Sequence, residues 1–389
     1  MLGSLILFLG ATAGNTALGA WIINQIYGTR FRGWWVTLIR VTCQALIVVF
    51  PLAFAVGFGP AIWRESDWIM SAGWLKLPPA LLAYLMVCWG LGFVVVPAVT
   101  LQRWLRRAPV QLLDNHTTTL RVGEVLGRKP LGPSKHGWLA RLPRNQIWDV
   151  DFVELTLALS RLPRELDGLS IWHISDTHLC GCPDYAFYEH VFDRCAEQPA
   201  DIVVVTGDIL DSDRHYHWIV PLFSKLQGRF ASLGILGNHD AWLEVPEIVS
   251  RMQRSGFTML GGRWLEIPVR GRQIVVIGNE MPWLRPAPDL SNCPPHPFRL
   301  CLSHSPDTIG WARNHGVDLV LAGHNHGGQV RFPLIGPLLV PSRLSRRYDC
   351  GTFFEPPTLL HVSRGLAGTY PLRWNCRPEV TRLVLRSQT

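Results

Sequence analysis

Charge is what this chain has least of. Only 17% of its 389 residues are Asp, Glu, Lys or Arg, against roughly 25% in an ordinary soluble domain, so part of it avoids water. The deficit is local. Three stretches, 4–27, 41–63 and 77–101, contain no charged residue at all. Pumps and transporters place ionisable groups inside their spans, so this absence argues for an anchor. No Lys or Arg precedes the first stretch, which argues against a cleaved signal peptide. A disulfide framework is missing too: the nine cysteines are odd in number and irregular in spacing, as in a reducing compartment. Cys180-Gly181-Cys182 lacks a second cysteine pair to complete a zinc site and reads as a loop edge. Net charge is +8 with a pI of 9.2, yet no nucleic-acid-reading motif accompanies it and nucleic acid is not an expected partner.

Each uncharged stretch is long enough to cross ~30 Å of hydrocarbon as a helix. The first is the weakest, interrupted by Asn15, Asn24 and Gln25, so two or three spans are expected. It also carries Gly10-Ala11-Thr12-Ala13-Gly14, a pattern that lets helices approach closely. Arg30, Arg32 and Arg40 follow the first stretch; Arg64 and Lys76 follow the second, mixed with Glu65 and Asp67; Arg103, Arg106 and Arg107 follow the third. The positive-inside rule then puts everything after residue 102 in the cytoplasm, on a multi-pass inner-membrane protein. Trp34, Trp35, Trp63, Trp68, Trp74 and Trp104 flank the spans as interfacial anchors do. The expected organisation is a membrane anchor over 1–102, a basic Gly/Pro-containing linker over 103–147 and a soluble domain over 148–389.

In that domain short apolar runs alternate with segments able to form helices, such as Asp184–Glu197 and Val245–Ser255. Residues 150–157 alternate like a half-buried strand. Runs at 169–174, 202–205, 231–236, 274–277, 300–302 and 319–321 complete a layered α/β pattern. Five runs end directly in polar motifs: Asp176-Thr177-His178, Gly207-Asp208-Ile209-Leu210-Asp211, Gly237-Asn238-His239-Asp240, Ser303-His304 and Gly323-His324-Asn325-His326. Ligands in such folds bind at the carboxyl ends of strands. Asp176 and His178, like His324 and His326, are two apart and point the same way on extended backbone. Carboxylates, an amide oxygen and imidazoles without thiolate suit two divalent ions such as Mn, Fe or Zn.

These five motifs resemble those of the calcineurin-like metallophosphoesterase superfamily, and all five are complete. The likeness is stronger still to a membrane-anchored bacterial branch, the YkuE/YaeI type. It rests on Leu302-Ser303-His304-Ser305-Pro306-Asp307, Gly323 to Val330, Val362 to Leu366, Pro371-Leu372-Arg373 and Arg377-Pro378-Glu379. The resemblance implies a four-layer α-β-β-α sandwich. It implies one metal on Asp176, His178, Asp208 and His326, and a second on Asp208, Asn238, His304 and His324, with a hydroxide between them as nucleophile. His239 would stabilise the transition state or protonate the leaving group, oriented by Asp240. Arg364 and Arg373 are candidates for a second phosphate, since their forked donors match it. His215 and His217 are read as loop residues near the site. The implied function is hydrolysis of a phosphodiester or pyrophosphate at the membrane, on a lipid-linked substrate such as UDP-2,3-diacylglucosamine or on a soluble one. A non-catalytic module on this scaffold would have lost ligands, and none is lost.

Overall fold

A computed structural model describes residues 2–31, 33–64, 77–295 and 298–388. Arg32, Glu65, Asp67, Trp68, Trp74 and Lys76, named above as loop charges and anchors, lie outside the described residues, as does His296. The chain forms two compact units, Met1–Arg107 with Pro333–Ser345, and Ala108–Phe332 with Arg346–Thr389.

The first unit holds three helices long and apolar enough to cross a membrane: α1 Leu2–Tyr27, a second over Trp34–Val56 within α2 (Trp34–Arg64), and Pro79–Trp104. The third passes through a π-helical stretch at Leu91–Val95. The polar residues that interrupt α1 have a packing role. Asn15 Nδ2 donates to the Leu46 carbonyl at 3.1 Å, and Tyr84 Oη donates to Asn15 Oδ1 at 2.6 Å. Gly14 has no room for a side chain: a Cβ there would sit 1.8 Å from the Cys88 carbonyl oxygen.

The second unit is built on two sheets. One has seven strands in the order β1 (Leu112–Arg121), β2 (Asp149–Leu159), β13 (Glu379–Ser387), β3 (Leu169–Ile174), β4 (Ile202–Thr206), β5 (Ala231–Ile235) and β6 (Thr258–Met259). The other has six, in the order β11 (Gly351–Glu355), β12 (Thr358–Val362), β10 (Leu319–Ala322), β9 (Arg299–Ser303), β8 (Arg272–Asn279) and β7 (Arg263–Val269). β3, β4 and β5 run parallel, as do β8, β9, β10 and β12. Alternate side chains split between two cores. Ile171, Val204, Leu233, Val276, Leu300 and Leu321 meet between the sheets. Trp172, Val203 and Val205 face the other way, against Phe187, Val191, Ile219, Leu222 and Ile248 of the covering helices. Ile309 and Ala312, on the helix Ile309–Asn314, are buried with the second sheet's helical cover. The result is a four-layer α-β-β-α sandwich.

The segment expected as a linker, 103–147, is not one throughout. Residues 112–121 pair antiparallel with β2 as the edge strand of the larger sheet. Their sequence, Leu-Leu-Asp-Asn-His-Thr-Thr-Thr-Leu-Arg, is polar because an edge strand exposes both faces. β13 was equally unforeseen. It inserts between β2 and β3, parallel to the first and antiparallel to the second.

Near the carboxyl ends of the strands the inter-sheet core turns polar. The rings of His173 and His361, one from each sheet, pack edge-to-face at 5.6 Å. Burial pushes His361 down to about 4 from its ordinary 6.5. The unfolded chain therefore takes up a proton on this ring before the folded one does, and stability falls as pH drops from about 6.5 to about 4. The loss is roughly 3 kcal/mol for this residue. Urea denaturation at pH 7 and pH 5 checks it: His361→Phe is expected to flatten the difference.

Candidate metal centre

The five motifs all lie just beyond strand ends: Asp176 and His178 after β3, Asp208 after β4, Asn238 and His239 after β5, His304 after β9, His324 and His326 after β10. The backbone there is strained in a concentrated way. Asp176, His178, Asp208, His324 and His326 all have positive φ, between 41° and 69°. Such values are uncommon for residues with a side chain, and they persist where surrounding structure enforces them. Two glycines make the crowding tolerable. A Cβ on Gly237 would lie 2.2 Å from Asp208 Oδ1, and one on Gly323 would lie 2.3 Å from Asp176 Oδ2.

Three overlapping groups of donor atoms result; one is His178, Asp211 and His239, and the other two share Asp208. Asp176, His178, Asp208 and His326 place theirs within 4.8 Å of one another, and so do Asp208, His304 and His324. Asn238 Oδ1 joins the last of these, 3.0 Å from His304 Nε2. Asp208 Oδ1 also accepts the His239 backbone N–H at 2.8 Å.

Three of the rings are pinned through their far nitrogen. Nδ1 of His304 lies 2.8 Å from the Thr206 carbonyl oxygen, that of His326 3.0 Å from the Ala367 carbonyl oxygen, and that of His178 2.7 Å from Asp211 Oδ1. These oxygens only accept, so each Nδ1 donates. The Nε2 atoms then point into a buried space where they again meet acceptors. His304 Nε2 is 3.3 Å from Asp208 Oδ2, His178 Nε2 is 3.4 Å from the same oxygen, and His178 Nε2 is 3.2 Å from His326 Nε2. Neutral rings would set lone pair against lone pair, so positive charge is required between them. Burial opposes that charge on His178 and His304, but Asp211, Asp208 and Asp176 outweigh burial at His178, and Asp208 and Asp176 outweigh it at His304. Both rings are thereby raised to about 9. His326 goes the other way, pushed well below its ordinary value by burial and then by His178 and Arg373. A divalent cation held there would supply that charge in place of the protons, and the mixed nitrogen–oxygen donors fit one.

Several expected roles are corrected. Asp240 does not serve the His239 ring. It is wholly buried, and its carboxylate accepts the backbone N–H groups of Ile209, Leu210 and Gly237 at 2.8–3.0 Å, tying two motif loops together. Burial, with Asp208 nearby, raises it to about 7. The carboxylate against the His239 ring is Asp211, 2.9 Å from Nδ1. Asp211 is the last residue of the second motif, so the signal was present and only the partner was misassigned.

Arg364 and Arg373 do not face a substrate. Arg364 pairs with Glu379 and, at 3.1 Å, with Asp151. Arg373 is wholly buried and donates to the carbonyls of His326, Arg364, Gly365 and Ala367. Both brace the ligand loops from behind, because a buried guanidinium needs its donors satisfied by fixed acceptors. Cys180 and Cys182 are held as thiols, pushed up to about 12 and about 11, chiefly by burial, in keeping with a loop edge.

Two aromatic residues beside the site carried no sequence signal. The Trp242 ring packs on His239 at 4.1 Å, and Trp283 packs on His324 at 4.6 Å.

A donor cluster of this kind at the strand ends of a two-sheet sandwich defines a metallohydrolase. Residues 169–328 match the family model described as calcineurin-like phosphoesterase. The uncharacterized metallophosphoesterase YkuE of Bacillus subtilis is 31% identical over 61% of this chain and 86% of its own length. The phosphodiesterase YaeI of Escherichia coli is 32% identical over 49% of this chain and 72% of its own. The UDP-2,3-diacylglucosamine pyrophosphatase LpxG of Chlamydia muridarum is 25% identical over 59% and 88%. The chain belongs to the calcineurin-like metallophosphoesterase family and is a hydrolase acting on phosphoester bonds.

Proposed function

We propose that this chain is a membrane-anchored phosphodiesterase or pyrophosphatase that holds two divalent ions and acts at the cytoplasmic face of the inner membrane. The observation that carries the reading is the buried cluster of nitrogen and oxygen ligand atoms centred on Asp208. Asp176, His178, Asp208 and His326 would hold one ion, and Asp208, Asn238, His304 and His324 the other, Mn, Fe or Zn by their donors. When bound, such a pair supplies Lewis acidity at phosphorus and acidifies water. His239 lies beside this cluster with its backbone fixed by Asp208 and its Nδ1 by Asp211. Its Nε2 would then give a proton to the leaving oxygen. Asp211 is a positioning residue for both His239 and His178.

A lipid-linked substrate is the favoured one. The support is twofold: residues 1–102 carry helices suited to an anchor, and LpxG by its name acts on a diacylated sugar nucleotide. The test uses purified full-length protein in detergent with Mn²⁺. UDP-2,3-diacylglucosamine is expected to yield UMP. Turnover of bis-p-nitrophenyl phosphate without UMP release would leave a phosphodiesterase of soluble substrates.

A further inference from the structure

A polar thread runs through the apolar core between the sheets. Alternation puts Ile171, His173 and Ser175 on the inter-sheet face of β3 and its exit, and Val204 and Thr206 on the same face of the neighbouring parallel strand β4. His173, Ser175 and Thr206 are wholly buried. His173 Nε2 lies 2.9 Å from Thr206 Oγ1, Thr206 Oγ1 lies 2.8 Å from Ser175 Oγ, and Ser175 Oγ lies 2.5 Å from Asp176 Oδ2. The thread ends on a residue proposed above to hold an ion.

Proton counting fixes its direction. Asp176 as a metal ligand is a carboxylate and only accepts, so Ser175 donates its single hydroxyl proton to Oδ2. Ser175 Oγ then accepts from Thr206, and Thr206, its own proton spent, accepts from His173 Nε2–H. Burial, and then the neighbouring His361, push His173 well below its ordinary value. The ring is therefore neutral, and its one N–H is at Nε2. Its Nδ1 is buried with no hydrogen-bond partner among the described residues. An unmatched buried nitrogen is destabilising, and an aliphatic side chain would suit the apolar core around Ile171 and Val204 better. The presence of a polar ring is explained by what its N–H does.

The effect falls on Asp176, whose two oxygens differ. Oδ1 faces the donor cluster, 3.5 Å from His326 Nε2 and 4.0 Å from His178 Nε2. Oδ2 is the oxygen held by Ser175. Hydrogen bonds in such a chain polarise one another, so losing the first weakens the last. We infer that His173 is a positioning residue for the metal centre: through Thr206 and Ser175 it fixes the Asp176 carboxylate with Oδ1 turned to the donor cluster and Oδ2 away from it. This inference rests on the reading that Asp176 holds an ion.

The test is the Mn²⁺ affinity of the full-length protein in detergent, measured by calorimetry. His173→Leu and Ser175→Ala are each expected to weaken one Mn²⁺ site about tenfold, the lower end for groups that orient metal ligands. Their double variant is expected to be no weaker than Ser175→Ala alone, because both act through one thread. Two amides separate donation from bulk. The nitrogen of His173→Gln can reach where Nε2 stands and donate to Thr206, so its affinity is expected to stay within about twofold of wild type, whereas His173→Asn is too short and is expected to lose about tenfold. Urea denaturation checks each fold, and the amide pair decides if His173→Leu does not fold. Unchanged affinity in His173→Leu, equal affinities in the two amide variants, or additive losses in the double variant overturn the inference. A wild type that binds no Mn²⁺, Fe²⁺ or Zn²⁺ overturns the metal reading itself, and this inference with it.

Discussion

Asp208→Asn is expected to remove bound metal and to cut hydrolysis on the order of 10³-fold, the several kcal/mol that metal-assisted charge stabilisation supplies. Asp208 is shared by two of the donor groups. Its Oδ2 lies 3.3–3.4 Å from the Nε2 atoms of His304 and His178. An amide of the same size keeps one acceptor for the His239 N–H. It replaces the other oxygen by a donor that can satisfy those lone pairs without any ion. The fold is therefore expected to survive, or to gain thermal stability, while metal content measured by mass spectrometry falls toward zero. Wild-type metal content with wild-type turnover in this variant would refute the assignment of the site.

Asp211→Asn is the second large effect, and it separates a positioning role from ligation. The residue would touch no ion, yet it holds the Nδ1 atoms of two rings. Removing its charge makes His178 a poorer donor and releases His239, with an expected loss of 10–100-fold in metal affinity or activity. Proton competition supplies the second readout. With His178 and His304 raised to about 9, protons occupy the ligand lone pairs below that pH, and apparent metal affinity rises as pH increases towards it. Asp211 contributes to the rise at His178, so in the variant the pH dependence is expected to start lower while the plateau affinity is weaker. Titration of Mn²⁺ affinity against pH measures both. A purely structural role would lower the affinity without moving the onset.

Much of this architecture was legible because its signals are local. The runs at 169–174, 202–205 and 319–321 coincide with β3, β4 and β10 within one residue. A buried parallel strand reads as a continuous apolar run, and the motif that follows marks where the chain leaves the sheet. Two of the strands that escaped notice lack that signature. β1 has a polar sequence and depends on β2 for its partner, and β13 gains its place from pairing with residues more than two hundred positions away. The same limit explains the misassigned side chains. Asp240 adjoins His239 in sequence, but the turn after Gly237 sends its carboxylate back to the motif backbone, while Asp211 arrives from the neighbouring strand end. Arg364 and Arg373 have the composition of phosphate binders and the surroundings of buried braces.

The sequence by itself determined the anchor-like helices, the layered α/β class and the placement of the donor residues at strand ends. Each follows from hydrophobic length, from periodicity, or from a polar group ending an apolar run. Tertiary structure decided which donor meets which. Residues as far apart as His178 and His326 close to 3.2 Å because the loops at the ends of β3 and β10, which belong to different sheets, meet where the two sheets pack together. Sheet register sets the order of those ends, and no local pattern in the chain encodes it.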